Sequence, residues 1–276
     1  MRISRFQIHL SCCLWGMDGA VASRLKSAAR LGFRFVDIRP GLLESIDRFQ
    51  LNDTFGLQVS CIGLAAGLPC KRTLGSKNLL DRQKLLGLAR EGLDHLVSYN
   101  GKDAYIVPLY DSDPETMAHY MDSLVRLADM GREREIRIHV EHYPGRALPS
   151  AASVLDLIDH IRHPNLYLLV DFGHLLISGE DPAMIIKRAG ERLGYVHVND
   201  NDGKTDSHLG LLEGSMTRAS LENGLTALDQ AGYQGNIAIE LGPGLPDTDG
   251  SLQHSKQVIE GMLTPGKPEA IEDTKS

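Results

Sequence analysis

Three carboxylates and an imidazole stand in short apolar runs: Glu141 in "IRIHVEH", Asp171 in "LYLLVDF", His197 in "GYVHVND" and Glu240 in "NIAIELG". A carboxylate in an apolar strand is costly to bury unless it binds a cation or makes strong hydrogen bonds. One such residue reads equally well as half of an ion pair. Three at equivalent strand ends, with a His in their company, read as donors to one shared cation. Three oxygens and one nitrogen suit Mn²⁺, Mg²⁺, Co²⁺ or a catalytic Zn²⁺ better than they suit a closed thiolate site. One divalent ion is therefore the expected cofactor, with Glu141, Asp171, His197 and Glu240 as its ligands.

Two neighbouring stretches add polar groups. In "DFGH" the three-residue offset lets His174 lean over the site that Asp171 would ligate. "HVNDNDGKTDSH" runs from His197 through Asp200, Lys204 and Asp206 to His208. Alternation places Tyr195, His197 and Asn199 on one side of a strand. A lone strand His is also a common core residue, so ligation by His197 is inferred from its neighbours. Asp200 is expected to support the ligands or contact substrate, and "DSH" reads as either a solvated turn or a specificity element. His9, Trp15 and Arg39 end or follow the first two strands, where Trp15 and Phe172 either pack on a sugar face or simply fill space.

The elements that must position these groups alternate regularly. Eight strand-like runs occur: "RFQIHLS", "FRFVDIR", "LQVSCIGLA", "AYIVPLY", "IRIHVEH", "LYLLVDF", "GYVHVND" and "NIAIELG". Helical spacing fills the intervals, as in "DGAVASRLKSAARLG", "DPETMAHYMDSLVRLADMGRER" and "SAASVLDLIDHIR", two of which open on Asp-Pro or Ser start signals. Gly closes several of them, as in "RLGFRF" and "RLGYVHV". β-then-α alternation with short connections implies right-handed crossovers and a parallel sheet. Eight repeats of about 30 residues predict an α/β fold, a single-domain (β/α)8 TIM barrel over residues 1–263, with an open doubly wound sheet as the alternative. Residues 264–276, "TPGKPEAIEDTKS", are expected to form a flexible tail.

Composition limits the functions available. The 276 residues are 42% hydrophobic and 24% charged with a formal net charge of -7, which argues against capture of nucleic acid by a basic face. The four Cys, at positions 12, 13, 61 and 70, fit neither a disulfide framework nor a zinc ribbon and read as reduced thiols. No run approaches the ~20 apolar residues of a membrane span, and the N-terminus lacks a signal-peptide core. A cytoplasmic protein with no membrane or nucleic-acid partner is expected, and a homo-oligomer is compatible with the sequence.

The segments "IHVEHYPGR", "LVDFGHLLISGEDP", "GYVHVNDNDGKTDSHLGLLEGSM" and "YQGNIAIELGP" resemble the xylose-isomerase-like barrel family, which includes sugar and sugar-phosphate isomerases and epimerases, inosose dehydratases and endonuclease IV. The resemblance implies metal binding by Glu141, Asp171, His197 and Glu240, and substrate contact by His174. It also implies α-proton chemistry through an enediolate, with Glu141 and Glu240 as base and acid. A small ketose, keto-acid or sugar phosphate is the implied substrate, and a dehydratase acting on a keto-polyol or keto-sugar is the alternative.

Asp206 and His208 are similar to extra zinc ligands of endonuclease IV. The His residues that such nucleases place on strands two and three are missing from "VDIRPG", "SCIGLAAG" and "IVPLYDSD", and a non-catalytic barrel is the remaining reading. Ketose 3-epimerases usually carry an Arg after the strand-seven His. Here Lys204 is the nearest cation and Arg146 follows strand five, so substrate contacts are expected from His174, Asp200, His208, Lys204, Arg146, His9 and Trp15.

Overall fold

The computed structural model describes residues 8–64, 74–108 and 112–263. The expected tail at 264–276 and Cys70 lie outside them. Eight parallel strands pair in sequence order and close, first on last. They are β1 (His9–Cys13), β2 (Phe35–Ile38), β3 (Gln58–Gly63), β4 (Asp103–Ile106), β5 (Arg137–Glu141), β6 (Leu166–Asp171), β7 (Leu193–Val198) and β8 (Asn236–Ile239). Around them lie α1 (Val21–Arg30), α2 (Arg48–Phe55), α3 (Leu79–Ser98), α4 (Pro114–Glu133), α5 (Ala151–Ile161), α6 (Phe172–Ser178), α7 (Pro182–Ala189), α8 (Arg218–Gln230) and α9 (Thr248–Leu263). The fold is the TIM barrel that the alternation predicts.

Local chemistry starts the helices where expected. Asp113 and Asp181 cap α4 and α7 ahead of Pro114 and Pro182, and Ser150 with Ser153 forms a capping box on α5. Asp171 ends β6 and at once caps α6 by accepting the His174 N–H, so the strand end and the three-residue offset are one structural unit. α2 has a single buried residue, Leu51, and therefore no apolar stripe that sequence periodicity could reveal.

The outward faces of the strands and the inner faces of the helices form a continuous apolar shell. It includes Leu25, Leu93, Val140, Leu168, Val196 and Ile237, all fully buried. Burial of each such aliphatic side chain contributes about 1.5–3 kcal/mol. The barrel interior holds a separate, small apolar layer of Cys13, Cys61, Tyr105, Leu169, Tyr195 and Ala238. Cys12, Cys13 and Cys61 are free and buried, and burial raises their thiol pKa values. No described helix is long and apolar enough to cross a membrane.

Two irregularities shape the interior. β3 carries an extra residue, Ser60, opposite the Val36/Asp37 step, and β7 carries Gly194 opposite Leu168/Leu169. At Gly194 a Cβ would run into the ring of His139, so only glycine leaves room for that buried imidazole and its partner Asp103, 2.8 Å away.

Candidate active site

At the C-terminal rim Glu141, Asp171, His197 and Glu240 arrive from β5, β6, β7 and the residue after β8, all buried. One ligand atom from each lies within 4.8 Å of the others. Asp171 and His197 are direct register partners. His197 Nδ1 lies 2.7 Å from Glu240 Oε2 and 3.5 Å from Glu141 Oε1.

These are approaches toward a common centre rather than hydrogen bonds: Glu141 Oε1 and His197 Nδ1 are both buried without a hydrogen-bond partner. Buried polar atoms are almost always paired, so two orphans from β5 and β7 turned to one centre fit a cation as the missing partner. The donor set, three carboxylates and an imidazole, also has the chemistry of a hard or borderline divalent ion.

The surroundings orient each group. The Asn199 side-chain amide donates to both Asp171 oxygens, at 3.0 and 2.8 Å. Trp15 Nε1–H donates to Glu240 Oε1 at 2.8 Å, and the Arg39 guanidinium lies 4.5 Å from the centroid of the Trp15 ring. On its far side His197 meets Asp37 of β2, with Nε2 3.3 Å from Oδ2.

Charge is unevenly held. Burial, followed by the like charge of Glu240, pushes the Glu141 carboxyl above its ordinary range despite nearby imidazoles. Burial works the same way on Glu240, yet His197, His208 and the Trp15 N–H together hold it well below that range. Burial disfavours the charged form of His197, but Glu240, Asp37 and Glu141 outweigh it and raise the imidazole well above its usual value.

A second cluster adjoins the first. Asp206 sits between His174 Nε2 at 3.2 Å and His208 Nε2 at 3.0 Å, and His208 Nδ1 lies 3.3 Å from the Glu240 carbonyl. His174 donates its Nδ1–H to the His142 carbonyl at 2.7 Å, which turns Nε2 toward Asp206. His208 has φ 46°, a left-handed conformation uncommon outside glycine, so the loop is held in place around this contact. "DSH" is thus an ordered rim rather than a solvated turn.

The structure separates the other expected contacts. Trp15, His174 and His208 reach the site. Arg146 lies over the Tyr143 ring at 4.5 Å from its centroid, one ring removed from His174. Phe172 is buried beneath Gly224 and Pro182 in the outer shell and offers no face to a ligand. Asp200 is no substrate contact: fully buried, its carboxylate accepts the N–H groups of Asn201, Gly214 and Met216 at 2.7–2.8 Å and closes the loop after β7. Lys204 is exposed on a turn whose N–H groups bond Asp202, and it makes no hydrogen bond or ion pair with the ligands. His9 opens β1 beside Asn236 at the start of β8, at the N-terminal end of the barrel opposite the site. Asp37 and Asn199, neither expected from the sequence as a ligand or substrate contact, complete the surroundings of the ligands. Asp37 carries the same signal as the ligands, a carboxylate inside "FVDI".

A family model described as a xylose isomerase-like TIM barrel matches residues 25–259. The chain is 32% identical over 245 residues to an L-ribulose 3-epimerase of Methylomonas sp. (strain DH-1), covering 82% of this chain and 81% of the relative. It is 29% identical over 137 residues to an inosose dehydratase of Lacticaseibacillus casei, covering 42% and 44%. A crystal structure of the IolI protein with a bound zinc atom superposes with TM-score 0.75 at 16% identity, covering 92% of this chain and 98% of that one. With barrel, rim and sequence in agreement, the chain belongs to the xylose isomerase-like TIM barrel family.

Proposed function

We propose that the protein is a divalent-metal-dependent isomerase or epimerase of a small ketose, keto-acid or sugar phosphate, acting through an enediolate. The observation that carries this reading is the convergence of Glu141, Asp171, His197 and Glu240 within 4.8 Å. These four would hold one divalent ion, Mn²⁺, Mg²⁺, Co²⁺ or Zn²⁺, and the fold neighbour with its bound zinc atom supports an ion in a barrel of this kind. Bound there, a divalent ion would polarise a substrate carbonyl and the adjacent hydroxyl, making the α proton easier to remove.

The chain's own residues do the rest. Glu141 and Glu240 enter from β5 and from the end of β8, three strands apart, and so flank a flat intermediate from two directions. One carboxylate removes the α proton and the other, protonated, returns one. Return to the opposite face of the same carbon epimerises the substrate; return to the neighbouring carbon isomerises it. Trp15 holds Glu240 by one oxygen, leaving the other directed at the centre. His174 and His208 line the adjoining wall and present the substrate-facing polar groups.

Incubating the metal-loaded protein with ketoses, keto-inositols and 3-keto sugars in D₂O is expected to place deuterium on the carbon next to a carbonyl. The reading fails if no substrate exchanges and Glu240→Gln leaves metal binding and every activity unchanged.

A dehydratase reading rests on the second cluster. Asp206 between two imidazoles favours their protonated form, which supplies an acid beside the carboxylates for a departing β-hydroxyl. Loss of one water, with the absorbance of a conjugated ketone, marks that outcome in the same experiment.

A further inference from the structure

We propose that Asp37 is the positioning residue that commits His197 to meet the divalent ion through Nδ1. The inference rests on the metal reading above and assigns the ring's orientation to a residue outside the ligand set.

An imidazole has two nitrogens, and only the one bearing a lone pair can ligate. In the barrel interior His197 turns Nδ1 toward Glu141 and Glu240 and Nε2 toward Asp37 Oδ2, 3.3 Å away, with both side chains fully buried. A carboxylate accepts hydrogen bonds and donates none. Nε2 must therefore carry the proton in this pair, and Nδ1 is left to ligate.

The orientation of Asp37 is itself fixed. Its other oxygen, Oδ1, accepts the Tyr195 O–H at 2.8 Å and the Ser60 O–H, leaving Oδ2 directed at the ring. Ser60 reaches it because it is the extra residue of the β3 bulge, and Tyr195 because it precedes His197 by two on the same face of β7. Asp37 is aligned with Cys13 on β1 and Cys61 on β3. Among the described residues no Lys or Arg pairs with Asp37, whose side-chain partners are Ser60, Tyr195 and His197. Acceptors of this kind behind a metal-bound His set its ring orientation and raise its basicity, and their loss typically weakens metal binding about 10–100-fold.

The test compares Asp37→Asn with Tyr195→Phe, each titrated with Mn²⁺ and Zn²⁺ against a competing chelator. Both changes remove a hydrogen bond from the same buried network, but only the first weakens the acceptor behind His197. Asp37→Asn is expected to lower affinity about tenfold or more, and Tyr195→Phe, which leaves the Ser60 O–H holding Oδ1, by less than about threefold, at similar thermal stability.

Long-range ¹⁵N–¹H NMR of the ¹⁵N-histidine-labelled wild-type protein loaded with Zn²⁺ supplies a readout that needs no variant to fold. His197 is expected to show a protonated Nε2 and a metal-shifted Nδ1. Ligation through Nε2, or equal affinities for Asp37→Asn and wild type, overturns the role of Asp37 and leaves the metal site intact. Failure of the wild type to bind either ion overturns both.

Discussion

Asp206 holds one negative charge between two imidazoles, and this arrangement has a definite pH signature in the metal-free protein. For His174, burial opposes the charged form but Asp171, Asp206 and Glu141 raise its pKa to about 10; His208 rises to about 9 by the same contest with Glu240 and Asp206. Asp206 moves the other way, below its ordinary range, because the two imidazoles outweigh its burial. A raised His contributes stability that is complete below its unfolded value of about 6.5 and is lost as pH rises through the folded one. The depressed Asp contributes above about 3.9, its unfolded value, and loses that contribution as pH falls. Asp206→Asn should therefore cost about 2 kcal/mol near pH 6, and thermal melts should show the penalty shrinking toward pH 10. A penalty that stays flat between pH 7 and 10 would show that the imidazoles are neutral in the fold. At Glu240 the expected outcome is functional instead: Glu240→Gln abolishes solvent exchange of the α proton and weakens metal binding, measured by mass spectrometry of the product and by chelator competition.

Within elements, the strand ends and the loops that leave them set the precision of the site. Gly173, the second residue of α6, faces the Asn199 side chain so closely that a Cβ there would strike its amide oxygen. Gly173→Ala is expected to push Asn199 off Asp171 and weaken metal binding several-fold while α6 stays folded. Chelator competition and far-UV circular dichroism would check the two halves of that statement. The loop after β7 depends on Asp200 in a similar way. Asp200→Ala removes the acceptor of three N–H groups and should cost about 3 kcal/mol or more, with faster hydrogen exchange at Gly214 and Met216.

The same strand ends explain what was legible before the structure. Glu141, Asp171 and Glu240 each break an apolar run, an anomaly visible in one line of sequence, and the eight-fold alternation places them on one rim. Asp37 is an equal anomaly in "FVDI", but its run is short and no imidazole accompanies it. His9 lies at the far end of the barrel because the strand boundary is set by pairing with Asn236, a long-range register that no local pattern carries. Lys204 and Asp200 sit in a loop whose course depends on side-chain to backbone bonds, so neither spacing nor alternation could show that one points out and the other in.

For the molecule as a whole, the polar centre lies inside a barrel whose interior apolar layer, among the described residues, is six buried side chains, while the outer shell is extensive. Four converging donors with two orphaned atoms are a local destabilisation that an ion would relieve. Saturating the protein at about 100 times Kd should add about 2.7 kcal/mol, or roughly 5–11 °C in Tm, and a chelator should remove it. A Tm indifferent to every divalent ion would contradict the site.

The hydrogen bond from Trp15 to Glu240 has a practical consequence of its own. Trp15 is the sole tryptophan in the chain, so the indole emission of the whole molecule originates at the rim. When Glu240 gives its charge to an ion or a substrate, the field at the indole changes, and no second indole dilutes the signal. Occupancy of the centre should thus be readable as a shift in intrinsic fluorescence from unlabelled protein.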